Sequence, residues 1–120
     1  MKNKYFFENL IVWQRAHSFV LMVYKLTSIF PSEEKFGLTS QFRRASVSIA
    51  ANIAEGYRRT GKKDKLRFYN FSQASLDECN YYLILSQDLE YCKNNSIERE
   101  MAIEVGKLLT AYCNKIYKGL

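Results

Sequence analysis

Six of the chain's 18 Lys and Arg residues lie between positions 58 and 67, and Asp64 is the one acidic residue among them. A concentrated positive surface attracts polyanions, so this cluster indicates binding of phosphate backbones. It does not indicate any chemical reaction. The net charge of +6 and the sequence pI near 9.3 favour the same class of partner. The candidate nucleic-acid-binding residues are Arg58, Arg59, Lys62, Lys63, Lys65 and Arg67.

A charge run of this kind also occurs as a solvated turn that keeps a protein soluble. Two features favour binding. The three lysines stand at the predicted start of a helix, where the macrodipole disfavours cations by about a few tenths of a kcal/mol each. Aromatic neighbours, Tyr57, Phe68 and Tyr69, could stack on bases if their rings are exposed, although Phe68 fits the core better.

His17 is the single histidine of the chain, and it lies on an apolar stripe between Trp13 and Val20. We expect a packed, hydrogen-bonded core histidine. One histidine cannot supply the pair of Glu-x-x-His motifs that a di-iron bundle needs, and zinc has no better support. The sequence therefore predicts no metal and no cofactor.

The three cysteines, Cys79, Cys92 and Cys113, are odd in number and too irregularly spaced for a disulfide framework or paired zinc ligands. We expect reduced, buried thiols. No serine or cysteine has a nucleophile motif, and no glycine-rich phosphate loop occurs. Glu55 could be imagined as a general base, but a structural pair with a nearby arginine is the better interpretation. The chain is predicted not to be an enzyme.

The elements that position these residues are long helices, because one proline, Pro31, and five glycines give 120 residues very little punctuation. With 48% hydrophobic residues, the whole chain, 1–120, is expected to form one domain. Apolar residues at three- and four-residue spacing predict an all-α fold. The helices are expected at about 9–29, 38–58, 63–91 and 97–117. Asn95 and Glu98 stand in capping-box register before the fourth helix.

Short connections favour an up-down-up-down antiparallel four-helix bundle. This topology puts the start of helix 1, the turn between helices 2 and 3 and the end of helix 4 at one end, here called the basic end. The opposite end gathers more acidic than basic residues. Besides the cluster, the basic end is expected to hold Lys2, Lys4, Lys115 and Lys118 against Glu8, Glu55 and Asp64.

Helix 2 carries four small apolar side chains, Val47, Ala50, Ala51 and Ala54, in the direction where a monomeric bundle would expose charge. A helix that is apolar on nearly all sides is usually buried on nearly all sides, which indicates self-association. Alanine as a plain helix former on a solvated face is the alternative. A polar stripe beside it could be an interface network, a ligand site or the exposed side. The candidate interface residues are Gln41, Arg44, Val47, Ser48, Ala51, Asn52 and Glu55.

Four sequence strings carry a family resemblance across nearly the whole chain. They are F-x-x-L-x-V-W-Q-x-A at 7–16, Y-K-L-T-x-x-F-P at 24–31, F-G-L-T-S-Q-x-R-R-A-x-x-S-I-A-A-N-I-A-E-G at 36–56 and Q-A-S-L-D-E-x-x-Y-x-L at 73–83. The chain resembles the bacterial four-helix-bundle family of 23S ribosomal RNA intervening-sequence, or S23-type, proteins. The resemblance implies a left-handed bundle, a ring-like homopentamer and a positive surface that contacts nucleic acid.

That family is related to the accessory variability protein of diversity-generating retroelements, which partners a reverse transcriptase and binds nucleic acid. It offers no catalytic residues to carry over. The expected function is a non-enzymatic, oligomeric protein that contacts RNA or DNA backbones. The alternative is a structural adaptor for a protein such as a reverse transcriptase or a ribosomal component. With no signal-like apolar run in MKNKYFFENLIVWQR and no segment long enough to span a membrane, a cytoplasmic location and no membrane partner are expected.

Overall fold

The computed structural model describes residues 6–119, which form four α-helices and no strand. The helices are α1 Ile11–Thr27, α2 Leu38–Arg58, α3 Lys62–Asp88 and α4 Ser96–Lys118. Short 3-10 turns, Phe7–Asn9 and Ser32–Glu34, precede α1 and α2. The predicted all-α fold is confirmed. Lys2 and Lys4, which the sequence assigns to the basic end, lie outside the described residues.

The helices pack as a ring of neighbours, with α1 and α3 each placed between α2 and α4. Hydrogen bonds show the antiparallel order: Lys62 Nζ donates to Gly119 O (2.6 Å), and Tyr91 Oη donates to Glu34 Oε2 (2.8 Å) at the opposite end. The bundle measures 44 × 31 × 24 Å. Within residues 6–119, no helix combines the length and the apolar character that crossing a bilayer requires.

The core lies along the bundle axis, where each helix contributes one buried stripe. Its largest fully buried hydrophobic side chains are Phe19, Val23, Phe42, Ile49, Ile53, Tyr69, Leu83, Val105 and Leu109. The helices α2 and α3 share the broadest contact. They approach closely because Gly56 lies against the Tyr69 ring and Ser72 Oγ donates to Ile49 O (2.8 Å).

Two helices are shorter than the sequence predicts. The helix α1 begins at Ile11 rather than residue 9 and ends at Thr27 rather than residue 29. The helix α3 ends at Asp88 rather than residue 91, because Glu90 takes a left-handed conformation with φ of 63°. Tyr91 N then donates to Ser86 O (2.8 Å), and Glu90 N donates to Gln87 O (2.9 Å), which is the Schellman pattern. No glycine marks this stop in the sequence.

The predicted capping box at the start of α4 is wrong. The Asn95 side chain is buried, and its Nδ2 donates to Leu83 O (2.6 Å) instead of capping the helix. The Asn95 backbone N–H donates to Gln87 Oε1 (3.3 Å), which leaves no place for Glu98 there. Asn95 therefore joins the last two turns of α3 to the start of α4 by hydrogen bonds.

Candidate nucleic-acid interface

The structure brings the predicted cluster together at one end of the bundle. The helix α2 ends at Arg58, α3 begins at Lys62, and the bond from Lys62 Nζ to Gly119 O places the end of α4 beside them. Lys115 and Lys118 lie in the last turn of α4. Cations from three helix ends therefore share one surface, as hairpin connectivity predicts.

Two lysines of the cluster cap helix ends. Lys65 Nζ donates to Gly56 O (3.1 Å) and Tyr57 O (2.7 Å) at the end of α2, and Lys62 does the same for Gly119 O after α4. Terminal carbonyls lack intrahelical partners and form the negative end of a helix dipole. Partial burial lowers the pKa of Lys65. Both lysines therefore stabilise neighbouring helix ends, which offsets their cost at the start of α3.

Two arginines of the cluster form ion pairs. Arg59 Nη2 lies 3.1 Å from Glu55 Oε2, and Arg67 Nε lies 3.4 Å from Asp64 Oδ1. The pairing of Glu55 with a nearby arginine is confirmed. All four side chains are about half exposed, and exposed pairs contribute about 0–1 kcal/mol. An incoming phosphate can therefore compete for either arginine.

Arg58 and Lys63 are the most available cations of the cluster. Both are exposed, and within residues 6–119 no carboxylate lies within 4.0 Å of either charge. Neither side chain forms a hydrogen bond inside the described chain. These two side chains can contact an anion without giving up a structural bond.

The aromatic neighbours have three different environments. Tyr69 is 1% exposed, so the expectation that it could stack on a base is wrong. Tyr57 is half-buried beneath the Lys65 ammonium at 5.5 Å from its ring centroid. Phe68 is half-buried between two guanidinium groups, with Arg59 Cζ at 4.5 Å and Arg67 Cζ at 5.0 Å.

Sequence reasoning missed Phe6, an aromatic residue that is 53% exposed near the end of α2. It lines an open groove of about 480 Å³ with Phe7, Ala51, Ala54, Glu55, Tyr57 and Arg58. We call this the aromatic groove. Nothing in the local pattern links Phe6 to α2, because the contact depends on how the first helix enters the bundle.

The candidate interface residues lie on the outer side of α2, but they do not form one uniform surface. Five are exposed: Gln41, Arg44, Val47, Ala51 and Glu55. Ser48 and Asn52 are half-buried, and their side chains bond each other at 2.9 Å, while Ser75 Oγ of α3 donates to Ser48 Oγ at 2.9 Å. Part of the polar stripe therefore joins α2 to α3. Ala50, assigned by the sequence to the outer face, is buried in the core.

The remaining candidate groups show no chemical site in the described residues. The expected core position of His17 is wrong, because His17 is exposed and stacks on Trp13 with centroids 5.0 Å apart. Cys79 and Cys113 are buried free thiols, Cys92 is half-buried, and burial raises the pKa of Cys79 and Cys113. Within residues 6–119, no three His, Cys, Asp or Glu side chains are grouped to hold a metal.

Comparison with known proteins supports the fold and the family. A crystal structure of a protein of unknown function from the S23 ribosomal protein family of Bacteroides thetaiotaomicron superposes with a TM-score of 0.76 at 23% identity. The match covers 86% of this chain and 98% of that chain. No curated protein matches the chain. The family model described as 23S rRNA-intervening sequence protein matches residues 8–111, and the chain therefore belongs to that family.

Proposed function

We propose that this protein is a non-enzymatic, oligomeric binding protein whose basic end holds the phosphate backbone of nucleic acid. One observation carries the proposal: cations from three helix ends converge, and Arg58 and Lys63 among them have no carboxylate partner in the described residues. Lys and Arg bind phosphates as charges and donors, without discriminating between bases.

The oligomer is proposed to form through the first half of the outer face of α2, from Gln41 to Ser48, which leaves Ala51 and Glu55 outside the contact. Phe36 is 89% exposed, and with Tyr24 and Val47 it lines an open groove of about 760 Å³. Arg44 and Ser48, two further candidate interface residues, lie along the same groove. An exposed apolar patch of this kind is typical of an interaction surface, and a second copy would cover it.

Charge reversal tests the binding function. Arg58→Glu/Lys63→Glu removes the two unpaired cations and breaks no hydrogen bond within the described chain. We expect the affinity for a fluorescent RNA or DNA strand to fall at least about tenfold at low salt, measured by fluorescence anisotropy. The matched control, Lys93→Glu/Arg99→Glu, makes the same charge change at the opposite end and should keep the affinity within about twofold. Equal losses in both variants would contradict a localised site.

A second measurement distinguishes the adaptor function from nucleic-acid binding. A basic surface also fits an acidic protein surface, so partners are recovered from lysate with and without nuclease treatment. Partners bridged by RNA or DNA disappear after nuclease. A stoichiometric protein that survives nuclease, and that the charge-reversed variant no longer retains, would favour the adaptor instead.

A further inference from the structure

The aromatic groove places an apolar slot directly beside unpaired positive charge. Its lining includes two small residues of α2, Ala51 and Ala54, and three aromatic residues, Phe6, Phe7 and Tyr57. A flat aromatic ligand fits such a slot, because small side chains leave depth and rings offer stacking faces. The volume of about 480 Å³ is enough for a nucleobase with its sugar.

Two of the three aromatic residues of the groove, Phe7 and Tyr57, are packed against other side chains of the protein. The Phe7 ring packs edge-on against Trp13 with centroids 5.1 Å apart, and the Lys65 ammonium lies 5.5 Å from the Tyr57 centroid. Lys65 is itself fixed by its bonds to the carbonyls of Gly56 and Tyr57. Preformed walls reduce the ordering cost that stacking would otherwise carry.

The charges around the groove suit an anionic backbone. Arg58 lines the rim without a carboxylate partner in the described residues, and Lys63 follows five positions later across the turn. Glu55, the acidic residue of the lining, is paired with Arg59 at 3.1 Å, which offsets its repulsion of a phosphate. A ring slot next to a cationic rim is the arrangement that proteins use for single strands.

We infer that the aromatic groove receives one unpaired base of a single-stranded RNA or DNA whose phosphates lie on Arg58 and Lys63. The inference rests on the proposed function and adds a preference to it. Bases in a duplex are paired and stacked on each other, so a duplex reaches the cations but leaves the groove empty. The basic end therefore binds single strands more tightly than duplexes.

The test compares three fluorescent ligands of about 12 nucleotides: a single-stranded RNA, a single-stranded DNA and a blunt duplex. Ala51→Leu fills the groove without changing charge, and Ala111→Leu, an exposed alanine lining a different groove between α3 and α4, is the matched control. We expect wild type to bind at least one single strand about tenfold more tightly than the duplex. Ala51→Leu should lose that tenfold and keep the duplex affinity, whereas Ala111→Leu should behave as wild type.

Several outcomes would overturn the inference, and they differ from failure of the proposed function. If single strand and duplex bind equally and binding still depends on Arg58 and Lys63, the proposed function stands but the groove does not receive a base. If the protein binds no nucleic acid at low salt, both the proposed function and the role of the groove are contradicted. Light scattering must give the same mass for Ala51→Leu and wild type, because a changed mass would place Ala51 in a subunit interface instead. Cross-linking of a 4-thiouridine strand should label the peptide that contains Phe6 or the one that contains Tyr57.

Discussion

Glu90 ends α3 in a conformation that suits glycine. Its φ of 63° is left-handed, and this costs an L-residue about 1–2 kcal/mol relative to the right-handed helix, whereas glycine adopts it without strain. Glu90 is exposed and forms no ion pair in the described chain, so removing its side chain breaks few interactions. We expect Glu90→Gly to raise the free energy of unfolding by about 1 kcal/mol in urea denaturation.

The control for this prediction is Glu100→Gly. Glu100 is exposed in the body of α4, where glycine costs about 1 kcal/mol relative to good helix formers. The two substitutions are chemically identical and should change stability in opposite directions. A loss of stability in Glu90→Gly would show that the left-handed residue is not strained.

The Glu34 carboxylate accepts two hydrogen bonds whose contribution to stability depends on pH. Its pKa is lowered, first by the hydrogen bond from Leu38 N to Oε1 (3.1 Å) and then by the bond from Tyr91 Oη to Oε2 (2.8 Å). A carboxyl group with a lowered folded-state pKa stabilises the fold above its ordinary pKa near 4.5, and this stabilisation is lost as the pH falls through the folded value. Stability should therefore decline on the acid side of pH 4.5.

Urea denaturation on both sides of pH 4.5 tests whether protonation of Glu34 causes this decline in stability. Glu34→Gln should flatten the acid decline relative to wild type, because the neutral side chain has no proton to gain. Glu33→Gln removes the adjacent carboxylate without touching either hydrogen bond and should keep the wild-type slope. An unchanged slope in Glu34→Gln would assign the acid sensitivity to other groups.

At the scale of elements, the close contact between α2 and α3 depends on Gly56. A Cβ at this position would lie 2.8 Å from Cε1 of Tyr69 and 3.2 Å from Cβ of Phe68. The Tyr69 ring is fully buried and cannot move aside, so Gly56→Ala should destabilise the protein by about 1–3 kcal/mol despite the better helix propensity of alanine. In Gly106→Ala, the nearest atom is Leu76 Cδ2 at an ordinary 3.4 Å, and stability should rise by up to about 1 kcal/mol. Thermal denaturation of both variants checks the contrast.

The helices themselves follow from the sequence, because apolar spacing and scarce punctuation are local signals. The bounds of α2 were predicted to the residue, whereas the end of α3 was missed because Glu90 takes a position that glycine normally signals. Asn95 was misassigned as a cap for a related reason. Local register cannot show that an asparagine turns inward to bond a carbonyl on another helix.

At the scale of the whole molecule, hairpin connectivity was enough to predict that the cations share one end. Their individual states were not predictable, because they depend on contacts between elements. Lys62 and Lys65 cap other helices, Arg59 is paired, and Arg58 stands free in the described chain. The aromatic groove was missed for the same reason, since it forms between the residues before α1 and the end of α2.

Assembly should multiply the weak binding of each basic end. Val47→Glu places a charge in the outer face of α2, and we expect light scattering to show a smaller particle with an unchanged helical circular dichroism spectrum. A short strand that reaches one basic end should bind this variant as it binds wild type, whereas a long strand that spans several should bind about 100-fold more weakly, because linked sites raise the effective concentration. Ile103→Glu changes an apolar residue of α4 that is 52% exposed, against 42% for Val47, and should keep the wild-type mass and both affinities. If Val47→Glu retains the wild-type mass while Ile103→Glu dissociates the particle, the subunit contact lies on α4 rather than on α2.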